Sequence, residues 1–403
     1  MKPEINTSIA AVVLLSALAT ALLPACSRDS GDPGGNETPD LPTGPIQISA
    51  ASNHTCALNG SGIVKCWGMN MGHQAGSADG DSINIATEVK GIHQVVKALS
   101  SGDPGTCVVT ESGTVGCWGS IFTESDGSWP YGTMSTSVPT MIDGLPSAVS
   151  AVSVGPGHLC ALTDAGAVLC WGGNSSAQLG LGNNSFELST HIPTQVPGLE
   201  SGVIAVSALH QHTCVITENR EVLCWGCNGV GQWGCAGVYS PTLVEGLGSD
   251  ITAIAGHMHT CALTMAGAVK CWGHNNYGCL GSGAATPDFV TIPVQVVGLD
   301  SGVVAITASR TNTCALTDAG KVMCWGLHRD KCVSDTHNFE PDLEPYEVLG
   351  LEPGIVGISA GYDFVCAIYA TAKAMCWGRN GWGELGDGTD VCRNEPAEVV
   401  GLP

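Results

Sequence analysis

Short runs of alternating apolar and polar residues fill the chain from Ile46 onward, each broken after a few positions by Gly, Pro, Asp or Asn. Alternation with a period of two marks a half-buried strand, and apolar positions at helical spacing are missing. One unit reads Val303-Val-Ala-Ile-Thr-Ala308, then Thr313-Cys-Ala-Leu-Thr317, then Lys321-Val-Met-Cys-Trp-Gly326, then a loop leading to Pro345-Tyr-Glu-Val-Leu-Gly-Leu351. It predicts four short strands, and it repeats along the chain.

The middle of the unit is clearest at His158-Leu-Cys-Ala-Leu-Thr-Asp-Ala-Gly-Ala-Val-Leu-Cys-Trp-Gly172. Two strand-forming runs flank Asp164-Ala165-Gly166, and Gly166 can take the positive φ that closes a type I turn with a G1 bulge, so the stretch predicts a β-hairpin. Pairing outward from that turn sets Cys160 opposite Cys170. On a non-hydrogen-bonded pair the two Cβ atoms come close enough for a disulfide. The same Cys-x9-Cys-Trp-Gly spacing predicts the cross-strand links Cys56–Cys66, Cys107–Cys117, Cys160–Cys170, Cys214–Cys224, Cys261–Cys271, Cys314–Cys324 and Cys366–Cys376. The turn glycine recurs at Gly62, Gly113, Gly267 and Gly320, whereas Arg220 and Ala372 replace it. Those two turns are expected to differ in shape.

The tryptophans after the second cysteines, from Trp67 to Trp377, step by 47 to 54 residues. Seven four-stranded repeats of ~52 residues predict an all-β fold, a seven-bladed β-propeller. The closing motif Pro-x-x-Val-x-Gly-Leu recurs at Pro139, Pro193, Pro241, Pro293, Pro345 and Pro396, with a degenerate first copy at Ala86 to Ile92. Because the chain ends on this strand, the C-terminal strand is expected to complete the first blade and close the ring. Residues 46–403 form one domain on this reading.

Ahead of it, Lys2 precedes an apolar run from Ile9 to Leu23, the length of a signal peptide rather than of a membrane span. Leu23-Pro24-Ala25-Cys26 resembles the bacterial lipobox, in which cleavage precedes a cysteine that then carries diacylglycerol. Residues 1–25 are thus expected to be a signal peptide and Cys26 the lipidation site. Residues 26–45, rich in Gly, Pro and acid, form a flexible tether. Twenty cysteines point the same way, to an oxidising compartment. The expected location is a bacterial outer membrane or cell surface, with membrane contact through the lipid anchor only; plain secretion is the alternative. A formal charge of −22 excludes nucleic acid and anionic membranes as electrostatic partners, since both need clustered Lys and Arg.

Gly-x-x-His-Thr-Cys-Ala-Leu, Gly-x-Val-x-Cys-Trp-Gly-x-Asn, Gln-Leu-Gly and Pro-x-x-Val-x-Gly-Leu resemble the regulator of chromosome condensation (RCC1) repeat over residues 46–403. The resemblance implies a seven-bladed propeller, and the cysteine-paired form is similar to copies in exported bacterial proteins. The founding member is a nuclear guanine-nucleotide exchange factor that also binds chromatin. This chain departs from it by its export signal, its tether, its paired cysteines and the lack of a basic tail, so exchange activity is not expected. One scaffold hosts unrelated activities, and function must be argued from sites.

Four groups of residues bear on chemistry. Cys224-Trp-Gly-Cys227 has the spacing of a redox dithiol, yet Cys224 is committed to Cys214, so Cys227 is expected to pair with Cys235 as a loop staple. Cys279 and Cys332 each lie seven residues after their Trp in adjacent units, which suggests an inter-blade bridge that leaves Cys392 unpaired or lets it replace one of them. His54, His158, His212 and His259 sit two residues before the first cysteine, where a structural hydrogen bond is expected. His210-Gln-His212 and His257-Met-His259 are weak metal candidates: residues i and i+2 of extended chain share a face, so four imidazoles could converge on an ion such as zinc.

Trp129, Tyr131, Trp233 and Trp382 are placed in the variable loops after Trp-Gly, together with Phe122, Phe186, Tyr239, Tyr277, Phe289 and Phe339. Such loops of a propeller gather at one end and make a candidate rim for a protein partner. A glycan or cell-wall ligand is the alternative, and plugging of gaps between blades is the purely structural one. A propeller lyase or hydrolase would need paired carboxylates or a His/Asp/Glu cluster on one face, and no such motif stands in the chain. The expectation is a monomeric, non-enzymatic binding module without a cofactor.

Overall fold

The computed structural model describes residues 46–103, 105–120, 135–146, 148–182, 189–226, 238–327 and 340–402. In the first blade β1 (Gln47–Ala50), β2 (His54–Leu58), β3 (Val64–Met69) and β4 (Ser82–Glu88) pair antiparallel in chain order. Six further four-stranded sheets repeat that order, and the innermost strand of each touches those of its neighbours around a ring. The chain is a seven-bladed β-propeller.

The hairpin arithmetic holds at residue level. Cys160 pairs with Cys170 and Leu162 with Val168, while the Gly166 amide donates to the Thr163 carbonyl at 2.9 Å with φ 78° at the glycine. Arg220 and Ala372 do not bend their turns differently. They adopt φ 63° and 64°, and their amides donate to Thr217 and Tyr369 at 2.8 and 2.9 Å. Strand pairing and a disulfide on either side of the turn impose the left-handed conformation on side chains that disfavour it.

Ring closure departs from the sequence expectation. The last strand, Arg393–Glu398, pairs with Ala374–Gly378 of its own blade and not with the first blade. The first blade already owns an outer strand, β4, built from the degenerate copy of the closing motif, so the chain holds a whole number of blades and has nothing to exchange. The C-terminal segment still takes part in closure, because the Ala86 amide donates to the Val400 carbonyl at 2.9 Å.

The innermost strands leave one edge unpaired toward the central channel, and at five of the seams a hydroxyl from the preceding blade accepts an amide of it. Ser49 Oγ accepts the Ser101 amide at 2.8 Å, Ser153 Oγ the Ala208 amide at 2.9 Å and Thr307 Oγ1 the Ala360 amide at 2.8 Å. Ser359 Oγ accepts the Ala50 amide at 2.8 Å, so the closing seam between blades seven and one repeats the interior ones. The core lies between blades. Trp67, Trp118, Trp171, Trp225, Trp272, Trp325 and Trp377 are all buried there, beside aliphatic residues of the adjacent blade such as Leu385 and Val399 near Trp67. Outer strands are mostly exposed, as in β4.

Candidate functional site

Antiparallel order dictates which connections meet. The turn after each innermost strand and the loop between the third and outer strands emerge at the same end of the ring, while the hairpin turns of the disulfide pairs lie at the other. Backbone bonds tie the two sets together: the amides of Met69, Gly173, Leu327 and Arg379 donate to the carbonyls of Asn53, Gly157, Thr311 and Asp363 at 2.7 to 2.9 Å.

The recurring loop motifs serve the structure. In Trp-Gly-x-Asn, the side-chain oxygens of Asn174 and Asn380 accept the amides of Leu179 and Leu385 at 3.0 and 2.9 Å. The next motif carries each loop to the following blade. The carbonyls of Gln74, Gln178, Cys279 and Glu384 accept the indole N–H of Trp118, Trp225, Trp325 and Trp67 at 3.1, 2.9, 2.9 and 2.8 Å. Two residues on, Gly180 has φ +69°, and a Cβ there would lie 2.6 Å from Nε1 of Trp225. Only glycine admits that approach.

The repeat histidines complete the same seams. His54, His158, His212 and His259 are fully buried, and each Nε2 meets the threonine hydroxyl of the next blade, Thr106, Thr213, Thr260 and Thr313, at 2.6 to 3.0 Å. Burial pushes all four imidazoles down to a pKa of about 3, so they are neutral.

This arrangement overturns the convergence of four imidazoles. His212 and His259 point into inter-blade seams, whereas His210 and His257 stack on each other with centroids 4.4 Å apart. The i, i+2 rule fails because the chain turns: the Leu209 amide donates to His212 O, and the His257 amide to His259 O, both at 2.9 Å. Among the described residues no group of three or more His, Cys, Asp or Glu is placed to hold a metal.

His210 and His257 belong to a different assembly. Four residues before the first cysteine, every blade presents one side chain to the mouth of the channel: Ser52, Asp103 and Pro156 from blades one to three, then His210, His257, Arg310 and Tyr362 from blades four to seven. The Arg310 guanidinium lies 5.2 Å from the Tyr362 ring centroid, and His257 meets Tyr362 edge-on at 6.4 Å. Burial, then the nearby Arg310 charge, lower the His210 pKa; burial, then other histidines and Arg310, hold His257 well below its ordinary value. On the other side burial raises the Asp103 carboxyl, opposed by a hydrogen bond from Ser52. The sequence reading missed this ring. Its signal was a fixed register whose chemistry changes from blade to blade while its neighbours repeat.

The cysteines divide cleanly. All seven cross-strand links are formed, with Cα atoms 4.1 Å apart. The Cys279–Cys332 bridge is not. Cys279 is a buried free thiol donating to the His274 carbonyl at 3.0 Å, and burial pushes its pKa up to about 12. It occupies the position filled by Gln74 and Gln178 in other blades, which faces the seam rather than the neighbouring loop. Cys392 is disulfide-bonded. Cys332 and the Cys227–Cys235 pair lie outside the described residues, as does Cys26 with residues 1–45.

Of the rim candidates, Trp129, Tyr131 and Trp233 lie outside the described residues, as do Phe122, Phe186 and Phe339. Trp382 is half-buried, its amide donating to Oε2 of the fully buried Glu384 at 2.7 Å. Tyr239 and Phe289 are in outer strands rather than loops, and Tyr277 packs near His274, with ring centroids 5.7 Å apart.

Comparison with known proteins places these features. The chain is 27% identical over 382 residues to the ultraviolet-B receptor UVR8 of Arabidopsis thaliana, covering 92% of this chain and 85% of that protein. The structure superposes on human WBSCR16 with a TM-score of 0.71 at 21% identity, covering 84% of this chain and 93% of the other. Prp20p from Saccharomyces cerevisiae, described with its binding to Gsp1p and histones, matches with a TM-score of 0.67 at 19% identity over 79% of this chain and 81% of its own. The family model for the RCC1-like domain matches residues 25–352, and with seven repeats built on one inter-blade seam the chain belongs to the RCC1-like domain family.

Proposed function

We propose that the protein is a non-enzymatic, exported interaction module that binds a protein partner through the end of the ring bearing the channel mouth. One observation carries the reading: that end gathers both sets of connections, the loops after Trp-Gly vary there in length, and the channel-mouth position changes its chemistry from blade to blade. The RCC1-like propeller serves protein interaction in general, as the binding of Prp20p to Gsp1p and histones illustrates. Seven fully buried cross-strand disulfides support an oxidising compartment, and Cys26 is the expected attachment point of a lipid anchor.

Site-specific photo-crosslinking on the full chain tests the face. A crosslinker at Trp382 should yield a protein adduct, while one at Met265, 69% exposed on a hairpin turn at the opposite end, should not. An adduct from position 265 alone, or from neither, overturns the reading. The anchor is tested separately: Cys26→Ser should move the protein from the membrane fraction to the soluble one, and unchanged fractionation rules the anchor out.

A further inference from the structure

We infer that the channel mouth is a binding site for a small aromatic carboxylate. The mouth encloses about 330 Å³, the lower end of the range for small-molecule sites and room for a single ring with its substituents. The channel below is lined by small side chains such as Ala51, Gly102, Ala208, Ser309 and Ala360, so the ligand would sit on a narrow floor of mixed polarity.

The walls define the ligand. Arg310 is exposed at the rim and anchored over Tyr362, which leaves its guanidinium N–H groups available to a carboxylate. The stacked pair His210–His257 and the edge-on Tyr362 offer ring surfaces for a planar group. Both imidazoles are held neutral, so they present ring surface without a second positive charge. A cation is disfavoured by Arg310. A phosphate would call for more than one cationic side chain, and among the described residues Arg310 is the single one lining this mouth. Across the ring the Asp103 carboxyl is hydrogen-bonded to Ser52, on the side of the mouth away from Arg310. The proposal is independent of any protein partner on the same face.

Isothermal titration of the full chain with 4-hydroxybenzoate tests it. One saturable site is expected, with Kd of about 0.1–1 mM for a ligand of this size. Arg310→Gln should weaken binding about tenfold or more, and the neutral isostere 4-hydroxybenzyl alcohol should bind at least that much more weakly. In histidine NMR spectra the Cε1–H signals of His210 and His257 should shift on titration while that of His54, in a seam, stays put. Equal binding of the neutral isostere, unchanged affinity in a folded Arg310→Gln, unmoved His210 and His257 signals, or no saturation by about 10 mM overturns the inference. His210→Asn, at a rim turn, provides a second variant and should also weaken binding.

Discussion

The indole N–H of Trp67 donates to the carbonyl of Glu384 at 2.8 Å, across 317 residues of sequence. Thr55 Oγ1 donates to the same carbonyl at 3.3 Å, and the pair reproduces at the closing seam what Thr213 and Trp225 do with Gln178 inside the chain. The seams are alike in geometry and unlike in connection. Interior neighbours are joined by a short stretch of chain, whereas the described contacts between blades seven and one are non-covalent.

Trp67→Phe removes one donor from a buried carbonyl and should cost about 2 kcal/mol. Trp225→Phe should cost a similar amount in global stability, but its effect on hydrogen exchange should stay local. In Trp67→Phe the amides of Ala50 and Ala86, which bridge the closing seam, should exchange faster than in Trp225→Phe. Equal protection of these amides in the two variants would show that closure has no special dependence on Trp67.

Acid should loosen the seams. The folded-state pKa of His54, His158, His212 and His259 is depressed to about 3, below the unfolded value near 6.5, so the neutral fold is fully stable above that value. As pH falls from 6.5 toward 3 the unfolded chain takes up protons that the fold refuses. Each histidine then costs up to about 1.4 kcal/mol per pH unit. Urea unfolding at pH 7 and pH 5 should reveal a steep loss of stability with uptake of several protons. A flat profile between those values would contradict the buried, neutral assignment.

The two turns without glycine carry strain that glycine would relieve. Ala372→Gly removes an unfavourable left-handed alanine, offset in part by the greater entropy of an unfolded glycine, and should stabilise by about 0.5 kcal/mol. Arg220→Gly should act in the same direction. The control is Gly166→Ala, expected to destabilise by about 1 kcal/mol because its Cβ would also meet the Gly202 amide nitrogen at 2.7 Å. Chemical denaturation midpoints decide the signs, and a loss of stability in Ala372→Gly would refute the strain argument.

Cys279 should resist alkylation. Its thiol is buried, hydrogen-bonded and held far from the thiolate, the reactive form. Iodoacetamide should leave it unmodified in the native protein and label it after denaturation without reductant, while non-reducing peptide maps recover the seven cross-strand links. A peptide joining Cys279 to another cysteine would refute the free-thiol assignment.

Much of this architecture was written in short-range spacing. Ten residues from cysteine to cysteine, with Gly166 or its equivalents between, fix the register of each hairpin whatever lies beyond it, because the turn and the strand pleat leave one pairing open. The recurrence of Trp-Gly set the number of blades. The hydroxyl residue near the end of most innermost strands, as at Ser49 and Ser153, recurs as well, yet its purpose shows only when the next blade brings an unpaired amide to it.

The sequence alone determined the strands, the seven staples and the count of blades, since each depends on residues within about a dozen positions of one another. Tertiary structure decided the rest. It separated His210 from His212 by a turn, left Cys279 unpaired in a seam, gave the last strand to its own blade, and brought Asp103, His257, Arg310 and Tyr362 around one opening from blades far apart in sequence. No local periodicity encodes that meeting. It follows from the closing of the ring, which turns one register position in each repeat into a neighbour of the others.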